Sequence, residues 1–476
     1  MNAITETEQL ALPAQVTRWA MGLTLDAVPA AVRERACHLM LDALGIGLAS
    51  TRYDFAQQTL AALQAMNGPV QGGDVPVLGM NLNLGLRDAA LLNGLLIHGL
   101  DYDDTHPRGV VHATTSVLPA ALALASRQGA RGADLLLAYV VGMELTTRLG
   151  TAAGGAFHKV GFHPTGLLGA FGSALAAARL LGLDAATAAQ AQGVVLSLAS
   201  GSLEFLQDGS GTKRLHPGWA AAAGISAAYL AQHGMSGPRA AYEGRYGLYA
   251  SHIGAGLPGV DLSVITGTLG RDWEIPQVAV KPMPACHFTH AAADAAGALR
   301  AAWGGAPVRR IRARMPQPTL AVVCEPVANK RAPQNAYESQ FSVPYSVATG
   351  LRFGRFGLEA LEPAAYTDPD TVALAQLVEC EADPAADFPR FFSAEVVVEL
   401  ADGRVLRHRE AVNRGAEGRP ITNSDIEAKF FDNAARCVPP AQAQRIRDAV
   451  LGLQQQARAA DLAHLLGQGF PEHRGP

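Results

Sequence analysis

Residues 163–183 read HPTGLLGAFGSALAAARLLGL. Glycine and alanine fill so many of these positions that neighbouring helices must approach closely, since small side chains shorten the interhelix distance and gain contact by dispersion. On either side, from about residue 6 to about 270, apolar residues recur at three- and four-residue spacing, with Gly, Pro, Asp or His at the breaks. Pro29 opens PAAVRERACHLMLDALGIGLAS as a first-turn proline, and Asp184 caps DAATAAQAQGVVLSLAS. No β alternation is apparent in these first 270 residues.

The texture changes near Trp273. VRRIRARMPQPTLAVVCE (308–325) alternates in part with a strand period, and FSAEVVVELADGRVLRHREAV (392–412) sets ADG between two β-rich runs, a hairpin signal. Between them, SQFSVPYSVATGLRFG and DPDTVALAQLVEC read as helices. Helical periodicity returns in ITNSDIEAKFFDNAARCVPPAQAQRIRDAVLGLQ, with Ser424 as cap and Glu427 at the capping-box position. The pattern predicts a mainly α chain. A large all-helical domain is built from residues 1–273 and 411–476, with a smaller α+β domain, 274–410, inserted between them and residues 465–476 frayed.

Composition narrows the function. Hydrophobic residues make up 49% of the 476 positions and charged ones only 17%, which indicates a large core and excludes a disordered chain. A net charge of −4 gives no field for nucleic acid or an anionic membrane. Five scattered cysteines without a CxxC pair support neither a disulfide framework nor a zinc knuckle. The apolar windows GADLLLAYVVGMELTTR and GWAAAAGISAAYLAQHG are short, and the first holds Asp134, Glu144 and Arg148, so they read as buried helices. Acids at the N-terminus, with no apolar run after them, favour a cytoplasmic location.

Five segments break the apolar texture with reactive side chains: DYDDTHPRGVVH (101–112), HKVGFHP (158–164), DGSGTKRLHPG (208–218), KPMPACHFTH (281–290) and VVCEPVANKR (322–331). Asp101, Asp103 and Asp104 cannot all face one side of an element, and the bland reading makes Asp103 and Asp104 caps and salt-bridge partners. HxxxH and HExxH spacings are absent, so no metal site is expected. DGSGTKRLHPG lacks the P-loop spacing, which leaves Lys213 on a glycine-bounded loop before a helix, suited to a carboxylate. The histidines of HKVGFHP are equally compatible with a loop role. His290 falls one turn after His287, and Cys286 reads as a packing residue. GAGLPG (254–259) meets the bare GxGxxG spacing but follows no strand and reads as a loop, so nucleotide-dependent redox chemistry is disfavoured.

In this order the clusters LDYDDTH with HATTSVLPA, GFHPTGLLGAFG, GTKRLHPGWAA, KPMPACHFTHAA, and CEP with QFSVPYSVA resemble the MmgE/PrpD family of 2-methylcitrate dehydratases, cis-aconitate decarboxylases and iminodisuccinate epimerases. The resemblance implies a helical domain with an α+β lid, a homodimer, and no metal or organic cofactor. It also implies a site between the domains made of Asp101, Thr105, His112, His163, Lys213, Lys281 and His287. Two departures stand out: the short loop between Thr105 and His112 lacks a tryptophan-bearing insertion, and Cys324 lies where some decarboxylases carry a tyrosine. The implied activity is that of a lyase on a small di- or tricarboxylate, by dehydration or decarboxylation. An epimerase using the same proton transfer and a non-catalytic binding protein are the alternatives.

Overall fold

The computed structural model describes residues 10–67, 73–254, 259–416 and 418–470. The N-terminal acids, most of GAGLPG and the last six residues of the chain lie outside the described residues. As the spacing predicts, the chain is mainly helical. The helices that matter for the site are α1 (Ala30–Ser50), α2 (Leu86–His98), α3 (Thr114–Gln128), α4 (Gly132–Ala153), α5 (Pro164–Leu180) and α6 (Leu215–Gln232). Helix α5 is the Gly/Ala stretch, and its glycines face the closest crossings. A Cβ at Gly172 would stand 1.9 Å from Thr146 Oγ1 of α4, and one at Gly169 would stand 2.1 Å from Ser116 Oγ of α3. Gly218 does the same for α6, where a Cβ would meet Leu91 O of α2 at 2.0 Å. Any side chain at these points would force the helices apart and forfeit contact all along the crossing.

Asp184 caps its helix as read, accepting from Thr187 N at 2.7 Å. Pro29 stands one residue before α1 rather than inside its first turn. A two-residue ladder, Val75–Pro76 with Asn83–Leu84, is a small exception to the expected absence of β structure in this part.

The middle of the chain builds a second, smaller core. Helix α7 (His287–Trp303) is followed by β1 (Val308–Met315), α8 (Val343–Phe353), β2 (Val378–Ala382), β3 (Ala394–Leu400) and β4 (Val405–Glu410). The sheet order is β2-β1-β3-β4, parallel between β2 and β1 and antiparallel elsewhere. The expected ADG hairpin joins β3 to β4. DPDTVALAQLVEC departs from expectation, because its helix stops at Gln376 and its last residues form β2. Tertiary pairing decides this: Glu379 and Glu381 on β2 pair with Arg310 and Arg314 on β1, while Val378 joins the core.

Helix α9 (Asn423–Ala434) and the helices after it return to the first core, where Phe430 packs on Gly45 of α1. Its cap is Thr422 rather than Ser424. Thr422 Oγ1 accepts from Asp425 N at 3.1 Å and Asp425 Oδ2 accepts from Thr422 N at 2.9 Å, so a capping box with Asp in the third position starts the helix two residues early. A third apolar cluster joins Ile46, Ala49 and Leu100 to Met283, Ala293 and Tyr345, spanning both cores beside the site. Among the described residues no helix is long and apolar enough to cross a membrane.

Candidate active site

Helix α2 ends at His98, and the chain turns through LDYDDTH into a loop whose backbone is stitched to the segment before Lys281. Thr105 and Ala279 exchange both backbone hydrogen bonds at 2.8 Å. This pairing aligns Asp101 with Lys281. Asp101 itself has φ +49°, a left-handed conformation that Asp and Asn adopt more readily than other side-chain-bearing residues.

Asp101 Oδ1 accepts from Lys213 Nζ at 2.5 Å and from Lys281 Nζ at 3.0 Å, and Lys281 also donates to the Asp101 carbonyl at 2.8 Å. All three side chains are buried. Burial alone would raise the Asp101 carboxyl, but Lys213 and Lys281 outweigh it and hold the group well below the carboxylate range. Lys281 is raised: burial opposes its charge, and Asp101 more than restores it. Asp103 adds its charge to that of Asp101 at Lys281, so the two ammonium groups stand among two carboxylates.

Histidines line the adjoining wall. His98 and His163 stack with centroids 5.7 Å apart, and His112 lies 5.1 Å from the first and 6.2 Å from the second. His98 Nδ1 meets Asp103 Oδ2 at 2.9 Å, which requires a proton on Nδ1 and leaves Nε2, buried and without a protein partner, as the basic nitrogen. His112 Nδ1 meets the Asp104 carbonyl at 2.7 Å and Asp103 Oδ2 at 3.2 Å, so it too carries its proton on Nδ1. Thr105 Oγ1 lies 3.2 Å from the same nitrogen. His163 and His216 face each other through Nδ1 at 3.0 Å, sharing one proton between two neutral rings. Burial, then the charge of Lys213, holds His163 well below the usual imidazole value. Burial lowers His98 and His216 to about 4. Burial, then Lys281, lowers His287 to about 3. All four are neutral near pH 7.

The structure thus gathers Asp101, Thr105, His112, His163, Lys213 and Lys281. His287 stands on the first turn of α7 with His290 4.7 Å away, close enough to Lys281 to feel its charge. Cys286 borders the group with its thiol pushed up by burial, hence protonated. Cys324 packs in the sheet core beside Cys380, and His158 sits on the short helix Ala156–Lys159. Sequence reasoning missed three contributors. His98 was in view as an imidazole five residues before an aspartate, and His216 as the histidine of RLHPG. Lys429 of α9 carried no signal. It pairs with Asp42 at 2.7 Å and donates to the carbonyls of Tyr102 at 2.8 Å and Lys281 at 2.9 Å, fixing the backbone beside both charged partners. Among the described residues no three His, Cys, Asp or Glu side chains converge in a metal-binding arrangement.

Residues 14–258 match the model of the MmgE/PrpD N-terminal domain and residues 283–455 that of the MmgE/PrpD C-terminal domain. The chain belongs to the MmgE/PrpD family. Similar curated proteins include the cis-aconitate decarboxylase-like protein oryM of Aspergillus oryzae, 28% identical over 98% of this chain and 99% of the relative. The cis-aconitate decarboxylase of Homo sapiens is 29% identical over 95% of this chain and 94% of its own length. That of Aspergillus terreus is 27% identical over 95% of each. The segments LDYDDTH, GFHP, GTKRLHP and KPMPACH supply the charged and imidazole groups that meet here.

Proposed function

We propose that this chain is a cofactor-independent lyase acting on a small di- or tricarboxylate, with decarboxylation of a cis-aconitate-like substrate as the leading reaction. One observation carries the reading: a buried carboxylate held between two lysines beside neutral imidazoles, of which His98 keeps its basic Nε2 without a protein partner. Buried charged groups with unused hydrogen-bonding capacity are costly unless a ligand meets them, and a substrate carboxylate is the natural partner for the two lysines. Near-full-length likeness to proteins named cis-aconitate decarboxylases supports the same chemistry.

In this reading Lys213 and Lys281 bind substrate carboxylates and stabilise the enediolate that forms next to one of them. Asp101 holds both lysines in place, and its charge favours the ammonium form of Lys281. His163 or His112 moves the proton at the reacting carbon, with His98 and Asp103 behind them, and Thr105 hydrogen-bonds a carboxylate or hydroxyl. In decarboxylation the carbon–carboxylate bond breaks, carbon dioxide leaves, the electron pair enters the conjugated acid, and an imidazole delivers to carbon a proton that it recovers from solvent. In dehydration the imidazole first removes the proton and hydroxide leaves. His287 faces the cluster from the sheet unit, which serves as a lid that excludes water. The reading also takes the chain as a cytoplasmic homodimer.

The test is proton NMR of the purified protein in D₂O with cis-aconitate, citrate, 2-methylcitrate and simple dicarboxylates, each alone. Loss of carbon dioxide or a new alkene signal with deuterium incorporation is expected. Exchange without net conversion would shift the assignment to an epimerase, and no reaction or exchange with any of them would refute the lyase.

A further inference from the structure

His287 has a second neighbour that the proposed chemistry does not use. Asn413 is buried in the loop after β4, and its Oδ1 accepts from the backbone N–H of Phe392 at 2.9 Å. That bond fixes which end of the amide is oxygen, because the reversed amide would set its NH₂ against another N–H. Nδ2 is therefore the end that meets His287 Nε2, at 2.8 Å, and it donates. A nitrogen that accepts this bond carries no proton. The carbonyl of Arg414 also lies near Nε2, but at 3.3 Å it is the longer contact. The other ring nitrogen, His287 Nδ1, is buried and has no protein partner.

Phe392 also holds the ring itself, edge-on with centroids 5.4 Å apart at 81°. The loop that carries Asn413 is seated against the segment that carries Lys281: Gly415, at φ +88°, lies so close that a Cβ would stand 2.2 Å from Val280 O. Asn413, His287 and Lys281 are therefore placed as one unit.

We propose that Asn413 is a positioning residue that fixes His287 as its Nδ1–H tautomer, so that His287 serves the site as a hydrogen-bond donor and not as a base. This rests on the lyase reading for the identity of what is bound: the donor would meet a carboxylate or enediolate oxygen, next to the charge of Lys281. A neutral imidazole suits this task, since it polarises an oxygen without surrendering its proton. The low basicity that burial gives His287 fits the same role.

The experiment is nitrogen-15 NMR of the full chain labelled at histidine, with His287→Gln identifying the signal by its disappearance. The expected spectrum shows His287 with a protonated Nδ1 and a bare Nε2. In Asn413→Leu the proton is expected to move to Nε2, toward the Arg414 carbonyl, with kcat lowered on the order of 10²-fold and KM little changed. A wild-type Nε2–H tautomer overturns the proposal, as does an Asn413→Leu protein that keeps Nδ1–H or keeps its kcat. Should the variant not fold, the wild-type spectrum decides alone. Failure of the lyase reading would appear separately, as a wild-type protein inert toward every polycarboxylate while its tautomer is still observed.

Discussion

Two buried charged clusters share the loop between Asp101 and His112, and they are built to opposite ends. In the second, Glu144 Oε1 accepts from the backbone of Glu274 and Ile275 at 2.8 and 3.1 Å while its other oxygen meets Arg148 at 3.2 Å. Arg148 spends its remaining donors on Val264 O, Thr268 Oγ1 and Asp272 O. His106 uses Nε2 on Glu274 and Nδ1 on the backbone of Gly109. No buried side-chain atom of these four lacks a partner. In the Asp101 cluster, Asp101 Oδ2, Asp103 Oδ1, His98 Nε2 and His287 Nδ1 are all buried and unpartnered. Charge and burial are common to both. The two clusters differ in unused hydrogen-bonding capacity, and the proposed function takes that capacity in the Asp101 cluster as the place for a ligand.

The contrast is open to attack, beginning with the largest effect. His163→Ala and Lys213→Met are each expected to lower turnover by about 10²–10⁴-fold in a steady-state assay while leaving the melting temperature near wild type or higher. A large loss of stability with full activity would erase the distinction. Arg148→Met should do the reverse. It strands Glu144 and is expected to cost about 3–5 kcal/mol by denaturant unfolding, with turnover per folded molecule unchanged.

One residue of each cluster, Glu144 and His98, should titrate in opposite senses. Burial, against the pull of Arg148, pushes Glu144 up to about 7 from 4.5, so its contribution to stability is full below 4.5 and is lost as pH rises through 7. His98 is depressed to about 4 from 6.5, so its contribution is present above 6.5 and is lost as pH falls through 4. Denaturant midpoints across this range should flatten on the neutral side in Glu144→Gln and on the acid side in His98→Asn. The smallest effect is expected at the rim: Arg108 pairs with Glu274 but is 59% exposed, so Arg108→Ala should cost less than about 1 kcal/mol.

The helical architecture was legible because period and small-residue content act locally, and α5 with the Asp184 cap illustrates both. Strand β2 was not, because its five residues take their conformation from the arginines of β1. The residues that meet at the candidate site stand in segments that were legible through their likeness to a family. From composition alone, DYDDTHPRGVVH gave no way to tell Asp101 from Asp103 or His106 from His112, since one of each pair serves the strut or the scaffold. Lys429 shows the limit: its partner Tyr102 lies 327 positions away, and nothing in FFDNAARC or its surroundings signals that contact.

The φ of +49° at Asp101 constrains what can occupy that position. The backbone there admits glycine, asparagine and aspartate with least strain, and the pair of lysines admits only an anion. Glutamate meets the second demand and not the first, while asparagine and glycine meet the first and not the second. Position 101 is thus a point where two independent filters intersect on a single residue type. No single conservative exchange there preserves both the turn and the charge, and a chain that lost this aspartate would have to rebuild its loop to recover the function by another residue.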